Sequence, residues 1–204
     1  MKKNIILYIN NDEIFTFPIA FCLIERFSKN YNFSIKLSNT SLIKKIKIIL
    51  IIILDGSFKK LFYFYKKRIK IKKIISFKNV KLIKNEKKKK YKFGLSINYP
   101  KKILNKSFPI YNFHFGNFKT QRGTFIFFYK KIFSWKTIDL TFHKINDELD
   151  SGKIINTRKI NVEKLRSLEM IALPLKNKDF YINSIYKINK KIKSKKNKDI
   201  KSLN

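Results

Sequence analysis

Cysteine is almost missing from this sequence. Cys22 is the only one in 204 residues, which excludes an intramolecular disulfide framework and a cysteine-built zinc site. It stands in an apolar context with no base beside it, so it reads as a small core residue rather than a nucleophile. The expected compartment is a reducing cytoplasm. Histidine is scarce too: His114 and His143 are the only two, and without a cysteine cluster they support no metal site. With 5 glycines and 4 prolines, the chain has no Gly-x-Gly-x-x-Gly, no P-loop and no Gly-x-Ser-x-Gly elbow. The most apolar run, residues 48–54, is far shorter than the roughly 20 residues a membrane-spanning helix needs; it is expected to be a buried strand. Residues 5–9, behind Lys2 and Lys3, are too short for a secretory signal. No internal repeat is evident.

Acidic residues are the last shortage. There are 13 of them against 48 Lys and Arg, a net charge of +35. Such a surplus points to a polyanion partner: nucleic acid, acidic membrane or phosphorylated substrate. A second origin stands beside it. The chain is rich in Lys, Ile, Asn, Phe and Tyr and poor in Gly, Ala, Pro and Arg, the pattern that AT-rich codons produce. The oligomeric state is not readable from the sequence.

What is present supports a folded chain. Hydrophobic residues make up 44% and aromatics 15%, enough for a packed core. Residues 4–9 read as a central parallel strand, buried on both faces. Asp12 is a plausible N-cap for a helix over 14–28, in which Phe15, Ile19, Cys22, Leu23 and Phe27 keep helical spacing. Residues 33–37 read as a second strand, 40–45 as a short helix or turn, and 47–54 as a third strand. A helix over 58–68, a short strand at 74–77 and a solvated lysine-rich helix or loop at 80–91 follow. Strands are expected at 93–98, 110–114 and 156–162, then a helix over 163–175 interrupted by Pro174. A last helix at 179–188 precedes a frayed basic tail over 190–204. This alternation predicts an α/β fold with a mainly parallel twisted sheet flanked by helices, Rossmann-like in kind. Residues 1–175 would form the main domain, and 176–204 a C-terminal helix and Lys-rich tail.

The rare, chemically capable residues collect in residues 111–155. Both histidines lie there, with Trp135, the only tryptophan, and three glycines, Gly116, Gly123 and Gly152. Asn112 and His114 stand two apart at the end of a predicted strand, so both side chains address one side, where α/β sheets bind ligands. An amide donor beside an imidazole can stabilise an oxyanion and move a proton. A carboxylate such as Asp150 placed on His114 would favour its cationic form. Arg122-Gly123 offers a close backbone approach and a cation for an anionic group. Thr141-Phe142-His143 alternates like a strand, with His143 in a structural or supporting role. On spacing alone, the reading to prefer is that Asn112 and His114 end a strand, Asp150 caps a turn and Arg122 fills a loop.

In order, Asn112-Phe113-His114, Arg122-Gly123, Thr141-Phe142-His143 and Asp150-Ser151-Gly152 followed by apolar residues resemble the folate-dependent formyltransferase family. That family includes methionyl-tRNA formyltransferase, phosphoribosylglycinamide formyltransferase and the amino-sugar N-formyltransferases. The similarity extends weakly back to residues 94–104 and the opening strand. It implies a formyltransferase-like fold and transfer of a one-carbon unit from 10-formyltetrahydrofolate to a primary amine. Asn112, His114 and Asp150 would then be the catalytic trio. The pterin is expected against Leu95, Ser96, Asn98, Tyr99 and Pro100, and against Asn146, Asp147, Glu148 and Leu149, largely through backbone groups. Asn11, Arg122 and Gly123 would lie on the acceptor's side.

The sequence departs from the family in two places. A Leu-Pro step common after the histidine is Asn117-Phe118-Lys119 here. The glycine-rich phosphate loop of the glycinamide ribonucleotide enzymes is replaced by Asn10-Asn11-Asp12-Glu13, which counts against that substrate. Methionyl-tRNA, the substrate of translation initiation, is the expected acceptor, drawn by the basic surface and tail. The alternative is a nucleotide-linked amino sugar, because the RNA-binding domain usual in the tRNA enzymes has no room after the core. A non-catalytic RNA-binding protein on a decayed enzyme fold is a third reading.

Overall fold

A computed structural model of the chain describes residues 2–12, 16–54, 71–86, 90–103, 107–117, 120–121, 133–146, 152–165, 169 and 173–201. The apolar run at its start becomes the middle of the sheet. Strand β1 (Lys3–Asn10) buries Ile5 through Ile9 on both faces, as a central parallel strand must. Helix α1 (Thr16–Phe27) follows, with Phe17, Ala20, Leu23, Ile24 and Phe27 on its buried stripe. Pro18 falls in its first turn, where no backbone donor is lost. Strand β2 (Tyr31–Ser38) then pairs parallel with β1.

The crossover from β2 corrects the sequence reading. Residues 47–54 are not a strand but part of helix α2 (Leu42–Leu54). An unbroken apolar run carries no period that separates a buried strand from a helix. Here the helix begins at Leu42, ahead of the run, through a segment in which Lys44, Lys45 and Lys47 interrupt the apolar residues. Ser41 starts the helix, its carbonyl accepting the Lys45 amide at 3.1 Å. Leu42, Ile43, Ile46, Ile49, Leu50 and Ile53 on α2 are exposed. The strand expected at 74–77 is likewise absent: helix α3 (Ile71–Ile75) occupies its start. The lysine-rich segment read as helix or loop instead supplies strand β3 (Val80–Leu82). Among the described residues this short edge strand pairs only with β2, and edges carry lysine well. The helix expected at 58–68 lies outside the described residues.

Strands β4 (Phe93–Ile97) and β5 (Ile110–Phe115) extend the sheet in parallel beyond β1. Strands β6 (Thr137–Lys144) and β7 (Ile154–Asn161) close it in antiparallel fashion. The order in this seven-stranded sheet is β3-β2-β1-β4-β5-β6-β7. It reverses direction of growth beside β1, so β1 and β4 flank the topological switch point where such sheets bind ligands. Helix α4 (Leu173–Lys176) takes Pro174 in its first turn. Helix α5 (Lys178–Lys201) continues through the segment read as a frayed tail. Lysine is a good helix former, and Phe180, Tyr181, Ile185 and Ile188 fasten the helix to the main core. No helix among the described residues is long and apolar enough to cross a membrane.

Each sheet face has its own packing. Helices α1 and α5 cover the face that carries Leu7, Ile9, Leu95, Ile97, Phe113 and Phe142. The opposite face carries Ile6, Tyr8 and Ile110, covered by Tyr91 and by the partly buried Tyr99, Ile103 and Phe108. Trp135 stacks on Phe133, ring centroids 5.7 Å apart, and covers a small separate cluster of Ile138, Val162 and Leu173.

Arg158 of β7 ties down the start of α5 by a two-pronged contact to Asp179, at 3.0 and 2.7 Å. The guanidinium's hydrogen bonds hold the Asp179 carboxyl below its ordinary pKa of 3.8. A lowered folded-state value contributes stability above the unfolded-state pKa, and that contribution is lost as the pH falls through the folded-state one. Because Asp179 is largely exposed, Asp179→Asn is expected to cost at most about 1 kcal/mol at neutral pH. In denaturant titrations the gap from wild type should close once both forms are protonated.

Candidate active site

The site grows out of one alternation. Asn112 and His114 leave β5 on the same side, while Phe113 between them enters the core under α5. Strand register then lines up partners for Asn112. Tyr8 of β1 pairs with Ser96 of β4, Ser96 with Asn112, and Asn112 with His143 of β6. These side chains form one polar row on the face opposite α1 and α5. Burial, and then the charge of Glu86, raise the Tyr8 phenol above its ordinary pKa, so it stays protonated. One step further along, His114 pairs with Thr141, level with Asn98, where β4 ends in a left-handed residue (φ 50°). Asparagine tolerates that conformation better than other side chains except glycine.

His143 is buried, and its two nitrogens have separate duties. Nδ1–H donates to the Lys144 carbonyl at 3.2 Å. Because a carbonyl only accepts, neutral His143 keeps its lone pair on Nε2, which accepts an Asn112 amide N–H at 3.3 Å. That bond turns the Asn112 amide nitrogen towards β6 and leaves its second N–H for the site. His114, half-buried, donates from Nε2 to the Gln121 carbonyl at 3.1 Å. The two imidazoles stand edge to face, centroids 6.5 Å apart.

The loop leaving β5 is stitched to β6. Gly116, at φ 122°, takes a conformation few side chains tolerate, and its amide donates to the Asp139 carbonyl at 2.7 Å. Thr141 Oγ1 donates to the Gly116 carbonyl at 3.1 Å. Asn117 Nδ2 donates to Asp139 Oδ2 at 2.9 Å. Gln121 is buried; its Nε2 donates to the Thr137 carbonyl at 3.1 Å and its Oε1 accepts the Asn117 amide at 2.8 Å. Gln121 and Asp139 were not expected at the site. Asp139 had one signal, an acid inside a strand of a chain short of acids; Gln121 had none.

The expected residues divide as follows. Asn112, His114, Ser96 and Asn98 lie together across neighbouring strands. Tyr99 is half-buried against Tyr8, centroids 5.4 Å apart, and Pro100 follows it. The Leu95 side chain points into the opposite core, so only its backbone faces this way. Asn11 lies beyond β1, its amide bonded to the Ser38 carbonyl at 2.9 Å and its Nδ2 to Asn39 Oδ1 at 3.1 Å. Asp12 accepts from the Thr40 amide at 2.6 Å and from Lys45 at 2.9 Å. Burial raises the pKa of the Cys22 thiol, which disfavours a thiolate there.

Arg122, Gly123, Asp147, Glu148, Leu149 and Asp150 lie outside the described residues. The ends of the Asp150 segment are described, however. The Ile145 amide donates to the Ile110 carbonyl at 2.8 Å and the Lys144 amide to the Lys153 carbonyl at 2.9 Å. Asn146 is exposed just beyond. A Cβ on Gly152 would fall on the Lys144 carbonyl, so the close return of the chain there admits only glycine. Chemically, the described face offers an aligned amide donor, an imidazole of the kind that can move protons, and an aromatic and aliphatic wall beside them.

No family model matches the sequence, and a search of the curated proteins found no match. Solved structures do match. WlaRD, a sugar 3N-formyl transferase solved with dTDP and 5-N-formyl-THF, aligns with a TM-score of 0.59 and 16% identity over 93% of this chain and 64% of its own. Phosphoribosylglycinamide formyltransferase from Anaplasma phagocytophilum gives 0.57 and 14% over 91% and 86%. A formyltetrahydrofolate deformylase from Pseudomonas syringae pv. tomato gives 0.56 and 14% over 91% and 60%. The chain spans 54% of the methionyl-tRNA formyltransferase from Clostridium thermocellum and 27% of HypX from Aquifex aeolicus. At such identities the likeness is one of architecture, and by its architecture this chain has the formyltransferase-like α/β fold.

Proposed function

We propose that the protein is an N-formyltransferase, moving a formyl group from 10-formyltetrahydrofolate to a primary amine in the cytoplasm. The observation that carries this reading is the pair Asn112 and His114. They share one face at the end of β5, with the Asn112 amide set by His143. The second Asn112 N–H would meet the oxyanion that develops as the amine adds to the formyl carbon. His114 would move the amine's proton, with the Asp150 carboxylate favouring the imidazolium that forms. The wall of Tyr99, Ile103 and Phe108, with the backbone of residues 95–100, suits a flat heteroaromatic donor, which would also lie against residues 146–149. Asn11, Arg122 and Gly123 remain the acceptor-side group.

Methionyl-tRNA is the acceptor we favour, on the net charge of +35 and the lysines that α5 carries to its end. The amino-sugar reading draws support from the likeness to WlaRD. Glycinamide ribonucleotide fits less well, since the Asp12 carboxylate stands where a phosphate loop would follow β1. The test is incubation with labelled 10-formyltetrahydrofolate and either methionyl-tRNA or a nucleotide-linked amino sugar. Label is expected in formylmethionyl-tRNA. Label in neither acceptor, with RNA still bound, would replace this reading with a non-catalytic RNA-binding one.

A further inference from the structure

We infer that Gln121 is a positioning residue for His114, acting through its own backbone carbonyl; the inference rests on the proposed formyl transfer for its catalytic meaning. His114 Nε2 is 3.1 Å from the Gln121 carbonyl oxygen. A carbonyl cannot donate, so this contact assigns the proton to Nε2 and makes Nδ1 the basic nitrogen of the neutral ring. The carbonyl is aimed by the side chain of the same residue. The Gln121 carboxamide spans the loop, accepting the Asn117 amide at 2.8 Å and donating to the Thr137 carbonyl of β6 at 3.1 Å. The Gln121 amide closes the turn on the Asn117 carbonyl at 2.8 Å. Both ends of the carboxamide are therefore used, in a buried position where an unpaired amide would be costly. The Gln121 peptide cannot rotate without breaking one of these bonds, and the His114 ring is held with it.

The arrangement gives the two histidines opposite tautomers. His114 carries its proton on Nε2 and His143 on Nδ1. Nitrogen-15 NMR of the imidazoles separates these states, and only two side chains contribute. At about pH 8, above the ordinary imidazole range, wild type should show one ring of each kind. Finding His114 with its proton on Nδ1 would overturn the proposal without any variant. Gln121→Leu removes both carboxamide bonds. It should mix the His114 tautomers, leave His143 unchanged, and lower kcat by about 10- to 100-fold with the donor KM unchanged. Gln121→Glu keeps the acceptor for Asn117 but not the donor for Thr137, and should fall between. A merely structural role would move stability and both rings together. Retention of the wild-type tautomer and kcat in Gln121→Leu overturns the proposal. If wild type transfers no formyl group at all, the tautomer measurements still decide the positioning role, and only the catalytic reading fails.

Discussion

His114→Ala is expected to lower formyl transfer by about 10^3-fold, within the 10^2–10^4 that a positioned proton-transfer group supplies. The loss should fall on kcat, because the ring acts on the proton that moves as the new bond forms. Folding should be nearly untouched. His114 is half-buried at a strand end, and its Nε2 contact is to a loop carbonyl rather than to the core. Single-turnover formylation beside a thermal melt separates the two effects. Wild-type turnover in this variant would remove the mechanism; a collapsed melting temperature would instead make His114 a structural residue.

Phe142→Ala should be the most damaging change to stability among the core positions next to the site. Phe142 is fully buried. It stacks on Phe113 at 4.4 Å between centroids and on Tyr111 at 5.5 Å. Phe113 in turn meets Tyr181 of α5 at 4.7 Å. Truncation removes a ring on which two neighbours rest, and the loss of Phe in such cores costs about 3–5 kcal/mol. Against a typical total of about 5–15 kcal/mol this is a large share, equivalent to a melting shift on the order of 10 °C. The strand neighbours Thr141 and His143 face the site, so donor binding should weaken as well. Equilibrium denaturation measures the loss, and a change below about 1 kcal/mol would mean that β6 does not pack on β5 as described.

Much of the scaffold was legible in the sequence because its signals are local. Residues 4–9, stopped by Asn10-Asn11, and 93–98, stopped by Tyr99-Pro100, are buried-type runs, and each supplied a central strand. The pair Asn112 and His114 was readable for the same reason, since alternation along one strand fixes their common side. The failures share a cause as well. Residues 47–54 read as a strand because an unbroken apolar run has no period to separate strand from helix, and they fold as the end of a helix that starts at Leu42. Residues 80–82 are too short and too lysine-rich to signal an edge strand. The supporting groups were hidden because their partners are distant in sequence. His143 meets Asn112 only through antiparallel register. Gln121 acts through a backbone carbonyl, which no side-chain pattern encodes. The link to Asp150 came from the resemblance alone.

Trp135 gives the molecule a built-in optical reporter. It is the only tryptophan, half-exposed, two residues before the Thr137 whose carbonyl accepts from Gln121 Nε2. Excitation of the indole therefore samples a single location, beside the strap that ends at His114. Emission from this one ring makes loop rearrangement observable in unlabelled protein, on the timescale of a stopped-flow mixing experiment.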